Sequence, residues 1–212
     1  MKKRTHLSLL EEIIDTGYRL LIHRLAYGSV TARNESAFQL EFGHILKTLG
    51  QLYEFRLEDK FDLEFETYIP LNERSSKSRS DRARVDLLLR YKDDKSELKA
   101  AIELKFFKKE NHREPNYRYD VFTDLSNLEL YKTHGMNLCY FVLATDHSHY
   151  FNHQGYERPT ADFDFRHKST YKAGKVLTYR TDKPYGDPIH LKQGYTFLWD
   201  HIQDLYFLKV KV

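Results

Sequence analysis

The stretch VDLLLRYKDDKSELKAAIELKFF, residues 85–107, decides the architecture. Two apolar runs, 84–91 and 100–107, flank the polar turn KDDKSE, the pattern of an antiparallel hairpin with a loop somewhat longer than the tightest type. Both runs are apolar enough to be buried, yet the first carries Asp86 and the second Glu103 and Lys105. Residues i and i+2 of a strand share a face, so Glu103 and Lys105 point the same way, and a hairpin partner brings Asp86 opposite them. Neighbouring carboxylates repel and each desolvated charge is costly, so such a pair calls for a cation or a shared proton. Mg²⁺ suits it: a hard ion that takes oxygen ligands, keeps several waters and leaves room for a phosphate oxygen. An ammonium alongside offsets charge that builds on a phosphate under attack, so the chemistry implied is phosphodiester hydrolysis.

Upstream, Leu9, Leu10, Ile13, Ile14, Leu20, Leu21 and Leu25 recur at mostly helical spacing over 8–27. A second helix follows, with Asn34 as its N-cap, a stripe of Phe38, Phe42, Ile45, Leu46 and Leu49, and Gly50 as its expected stop. FDLEFETYIP (61–70) has period two and reads as a half-exposed strand. Residues 71–84 carry Arg74, Lys77, Arg79, Arg82 and Arg84 among serines and read as an exposed loop into the hairpin.

Downstream, Val121, Leu125 and Leu128 mark a helix that ends at Gly135, and NLCYFVLATD follows as a strand covered on both faces. Strand, helix, buried strand is a crossover unit and implies a parallel pair. From 146 to 190 the chain is weakly periodic, with one strand expected at KVLTYR, and the end reads as an amphipathic segment followed by a terminal strand. The expected fold class is therefore α/β, with a central mixed β-sheet, an antiparallel meander plus a parallel strand, flanked by helices. The 212 residues suit a single domain with its core at about 34–145, and 146–212 as additions.

A composition of 41% hydrophobic and 31% charged residues is that of a folded chain, and a formal charge of +3 permits a polyanionic partner without demanding one. The single cysteine, Cys139, excludes an intramolecular disulfide and a Cys-rich zinc site. No stretch approaches the roughly 20 apolar residues of a membrane span. Glu11, Glu12 and Asp15 interrupt what would be the apolar part of a signal peptide, so the expected location is cytoplasmic, with no membrane partner.

VDLLL followed by IELKFF resembles the PD-(D/E)xK nuclease superfamily, with Val85 where the family motif has its leading proline. The resemblance implies a restriction-endonuclease-like core of helix, three-stranded meander, helix and further strand. It also implies a Mg²⁺-dependent DNA endonuclease of restriction, defence or repair type, with Mn²⁺ as a substitute. Asp86 and Glu103 would be metal ligands, Leu104 would offer its backbone carbonyl, and Lys105 would be the catalytic lysine. Many members add an acid from the first core helix. Glu35 lies nearer the apolar stripe than Glu41 and is the expected catalytic and metal-binding acid, with Glu41 as the alternative.

Arg79, Arg82, Arg84 and Lys108 flank the motif and would grip DNA phosphates without reading sequence. Cutting both strands with a one-site domain would call for a homodimer. Asp124 falls where it could support Lys105, or lie on a helix surface. The competing reading is a catalytically inactive nucleic-acid-binding or interaction module of the same fold. A third class, a zinc hydrolase at His147, His149 and His153, lacks a convincing fourth ligand.

Overall fold

A computed structural model describes residues 5–71, 82–152, 156 and 158–212. Helix α1 (His6–Ala26) opens at Thr5, whose hydroxyl accepts from the Ser8 amide at 3.2 Å. Helix α2 (Glu35–Leu52) opens at Asn34, whose side chain accepts from the Ala37 amide at 2.8 Å, the cap expected from the sequence. Gly50 does not stop α2. It lies inside the helix, where a Cβ would stand 2.1 Å from the ring of Phe61, so its role is to let helix and strand approach.

The sheet-forming strands are β1 (Lys60–Pro70), β2 (Arg82–Lys92), β3 (Glu97–Phe107) and β4 (Leu138–Thr145). Helix α3 (Glu114–Thr133) links the last two, and β4 is buried along its whole length. After a one-turn helix α4 (His149–Asn152), β5 (Thr170–Tyr171) and β6 (Tyr195–Thr196) form a separate two-stranded pair. The hairpin of β7 (Trp199–Ile202) and β8 (Leu205–Lys211) completes a six-stranded sheet of order β1-β2-β3-β4-β8-β7. β3 and β4 are parallel and all other neighbours antiparallel, so the fold is α/β with a mixed central sheet flanked by helices.

Two further details depart from the sequence expectation. Arg82 and Arg84 belong to β2 rather than to a loop, because the ladder with β1 continues to Pro70↔Arg82. KVLTYR forms no strand; Leu177 makes a single bridge with Ile189.

α1 and α2 pack on one face of the sheet, and α3 on the other. Residues 163–199 join the α3 side: Phe122 on α3 meets the rings of Phe163, Phe165, Tyr171 and Phe197, and Trp199 Nε1 donates to the Phe165 carbonyl at 2.7 Å. Buried Glu129 on α3 accepts from the amides of Lys192 and Gln193 and from the Tyr195 hydroxyl, at 2.7–2.9 Å.

The β1–β2 hairpin serves both layers. Phe61 and Leu63 pack with α1 and α2, whereas Ile69 packs on the α3 side; on β2, Leu87, Leu89 and Tyr91 face the first layer and Ala83 and Val85 the second. An unbroken period of two would keep these odd-numbered residues on one face. The strands change face at Glu66, whose φ is 53°, and at Asp86 opposite it.

Candidate active site

The site is a fork in the sheet. β2 and β3 pair from Lys92↔Glu97 to Leu87↔Ile102 and then separate. β2 stays paired with β1 as far as Arg82, and β3 with β4 as far as Phe107↔Thr145. Backbone groups of β3 that β2 leaves behind must find other partners. The Leu104 amide donates to Asp86 Oδ2 at 2.6 Å, the Phe106 amide donates to Glu35 Oε2 at 3.3 Å, and Lys105 Nζ donates to the Leu104 carbonyl at 3.0 Å. Gln39 braces the fork from α2, donating to the Asp86 carbonyl at 2.7 Å and to Glu66 Oε1 at 3.1 Å.

Four carboxylates act on one ammonium here. Lys105 Nζ stands 2.9 Å from Asp124 Oδ2 and 3.8 Å from Glu35 Oε1. Burial alone would lower the lysine's pKa, but Asp124, then Glu35, Asp86 and Glu103, outweigh it and hold the group well above the ordinary lysine range. The carboxylates around it thus favour the ammonium form of Lys105. Glu103 is fully buried and accepts from the Tyr131 hydroxyl at 3.0 Å. Burial raises the Glu35 carboxyl; Lys105 and the Phe106 amide oppose that rise, while Asp86 and Asp124 add to it.

Of the two acids weighed on α2, Glu35 is the one that meets Lys105. Asp124 supports Lys105 directly, and Tyr131, Gln39 and Asp120 were not foreseen. Asp120, Asp124 and Tyr131 stand at i, i+4 and i+11 on α3, one face of the helix, and that spacing is the signal that could have found them. Arg84 Nε lies 2.8 Å from Glu66 Oε2 and Lys108 Nζ 3.0 Å from Asp146 Oδ2, so these two of the four expected phosphate grips are held by acids. Arg82 is exposed at the start of β2; Arg79, with Arg74, Lys77 and His153, lies outside the described residues. His149 Nε2 is engaged by Glu114 Oε1 at 2.8 Å.

Lys105 and Glu35 open onto a cleft of about 370 Å³, lined also by Lys108, Arg113, Tyr117 and Asp120, with Asp86 and Glu103 buried behind. Among the described residues, no three His, Cys, Asp or Glu side chains gather closely enough to hold a metal ion alone. The donor chemistry nonetheless suits a hard cation. Mg²⁺ is commonly held by one or two carboxylates with water and substrate oxygens completing the shell, and Glu35, Asp86, Glu103 and Asp124 against Lys105 leave this group of side chains negative when all are ionised.

Burial, and secondarily Asp124, push Asp120 from 3.8 up to about 6, with Lys105 and the Tyr185 hydrogen bond acting against them. Between those two values the unfolded chain has released this proton and the folded chain retains it. Asp120 therefore makes stability fall as pH rises from about 4 to about 6, with no further change above. Asp120→Asn is expected to gain on the parent across that window in urea midpoints measured at several pH values; a constant difference would refute the assignment.

Comparison with protein-family models, curated proteins and solved structures finds no match for this chain.

Proposed function

We propose that the chain is a Mg²⁺-dependent nuclease of the PD-(D/E)xK type that hydrolyses phosphodiester bonds in DNA. The observation that carries this reading is the position of Lys105 at the fork, its ammonium held by Asp124 and Glu35 and facing Asp86 and Glu103. The order α2, β1–β2–β3, α3, β4 supports it, being that of a restriction-endonuclease-like core.

Mg²⁺, or Mn²⁺ in its place, would be held by Asp86, Glu103 and the Leu104 carbonyl, with Glu35 beside them, once these groups draw together and the carbonyl gives up its bond from Lys105; when bound, it would supply an activated water and offset charge on the phosphate. Lys105 stabilises the negative charge that builds on the phosphate oxygens, since it keeps its proton at neutral pH. Asp124 positions that ammonium, and Tyr131 fixes the buried Glu103 carboxylate. Arg82, Arg84 and Lys108 hold the strand by its phosphates, Arg84 and Lys108 exchanging acid partners for them. A homodimer would place two such sites for cutting both strands.

The test is incubation of the purified chain with supercoiled, linear and branched DNA, with Mg²⁺, with Mn²⁺ and with EDTA. Metal-dependent nicks, ladders or discrete bands are expected. Tight DNA binding without cleavage under every condition would instead favour the inactive binding module, a reading that Asp124's firm hold on Lys105 also accommodates.

A further inference from the structure

A second cavity, of about 250 Å³, adjoins the cleft. Its walls are Lys108, Lys109, His112, Arg113 and His147, with Glu114 and Tyr150 completing them. Lys108 and Arg113 line both cavities, so the two share a wall.

The charge balance inside favours an anion. Glu114 is committed to Arg118, whose Nη2 donates to Oε2 at 2.8 Å, and to His149 at 2.8 Å. Asp146 pairs with Lys108 at 3.0 Å and accepts from the Lys109 amide at 2.8 Å, which offsets one lysine and anchors the backbone of the next. Arg113 is held by neutral groups: its guanidinium lies 5.4 Å from the centre of the Tyr117 ring, and Nη2 donates to the Tyr185 hydroxyl at 3.4 Å. Those contacts aim the guanidinium, and Asp120 on the cleft side is the acid that acts on it electrostatically. The space is smaller than the roughly 300–1,000 Å³ of a typical small-molecule site, which suits a compact group.

We propose that this cavity is a subsite for a phosphate group of the nucleic-acid strand, adjacent to the bond held in the cleft, with Lys109, Arg113 and His147 as its donors. The proposal rests on the nuclease reading for its choice of ligand. Two sources share the chemistry, an internal backbone phosphate and a terminal one. A subsite there sets how far the cut lies from the phosphate it grips.

The experiment uses the full chain in EDTA, so that binding is read without turnover. Inorganic phosphate is titrated while the His112 ring resonance is followed in the parent and in the double variant Lys109→Ala/His147→Ala, with the His147 ring followed in the parent as well. Saturable shifts in the parent, weakened about tenfold in the variant, are expected. Oligonucleotides with 5′-phosphate, 3′-phosphate or hydroxyl ends are then compared by anisotropy. If the bound phosphate is terminal, one phosphorylated end binds about tenfold tighter and the variant loses that preference. If it is internal, the ends bind alike, and the variant weakens all of them and lowers the salt slope by about one to two. Phosphate shifts absent from the parent or unchanged in the variant, with every strand bound as by the parent, overturn the subsite. A chain that binds phosphate this way but never cuts DNA overturns the nuclease reading and leaves the subsite standing.

Discussion

Asp86→Asn is expected to reduce Mg²⁺-dependent nicking of supercoiled plasmid on the order of 10³-fold, with the fold intact. Asparagine keeps an oxygen that can accept from the Leu104 amide, the contact Asp86 makes at 2.6 Å, while removing the charge and exchanging the other oxygen for an amide nitrogen. Asp86→Ala is a poorer probe, because the Leu104 amide loses its acceptor, which costs about 1–3 kcal/mol for a buried group. Lys105→Met should lower the rate about 10²–10³-fold, the usual loss when one group that stabilises developing charge is deleted. It removes a cation from among four carboxylates, so urea midpoints should accompany every rate. If Asp86→Asn and Lys105→Met both cut as fast as the parent, the site is wrongly placed.

Phe122→Ala should cost about 3–5 kcal/mol, the range for deleting a buried phenyl ring. Against a typical total of about 5–15 kcal/mol, that is a large share of the stability. The ring is fully buried on α3, with centroids 5.8–6.4 Å from those of Phe163, Phe165, Tyr171 and Phe197. Phe122→Leu, which keeps most of the volume, should cost under about 1.5 kcal/mol. Equilibrium unfolding of both variants decides the matter: a loss below about 1 kcal/mol for the alanine would mean that residues 163–197 hold to α3 by other means.

The sheet was legible where burial makes the chain uniformly apolar. β2, β3 and β4 stand out as hydrophobic runs, and Asn34 announces α2 through its capping chemistry. Gly50 misled because a glycine that ends a helix and one that admits a ring look alike without the ring. Arg82 and Arg84 carry charge because their face of β2 is exposed while Ala83 between them is buried, and local polarity hides pairing with a distant strand. The order within 146–199 was illegible because it rests on aromatic contacts with α3 and on Glu129 rather than on periodic strands. α3 itself is buried on more than one side, Arg118, Asp124, Asn127 and Glu129 included, so its apolar stripe is blurred. The meeting of Asp86 with β3 and of Lys105 with Glu35 was readable from a motif and a helix face. Tyr131 shares a helix face with Asp124, a spacing that could have marked it, whereas Gln39 acts through two hydrogen bonds made across the fold, to the Asp86 carbonyl and to Glu66, which no spacing along the chain encodes.

The change of face at Glu66 and Asp86 makes the β1–β2 hairpin a twisted ribbon clamped at both ends, with Phe61, Leu63 and Leu87 in one layer and Ile69, Ala83 and Val85 in the other. Asp86 sits where the torsion is concentrated, with its carboxylate on β3 and its carbonyl on Gln39. A rotation of either layer against the other would therefore reach Asp86 as a turn of its own backbone, and the aromatic packing around Phe122 becomes a remote handle on the aim of one carboxylate.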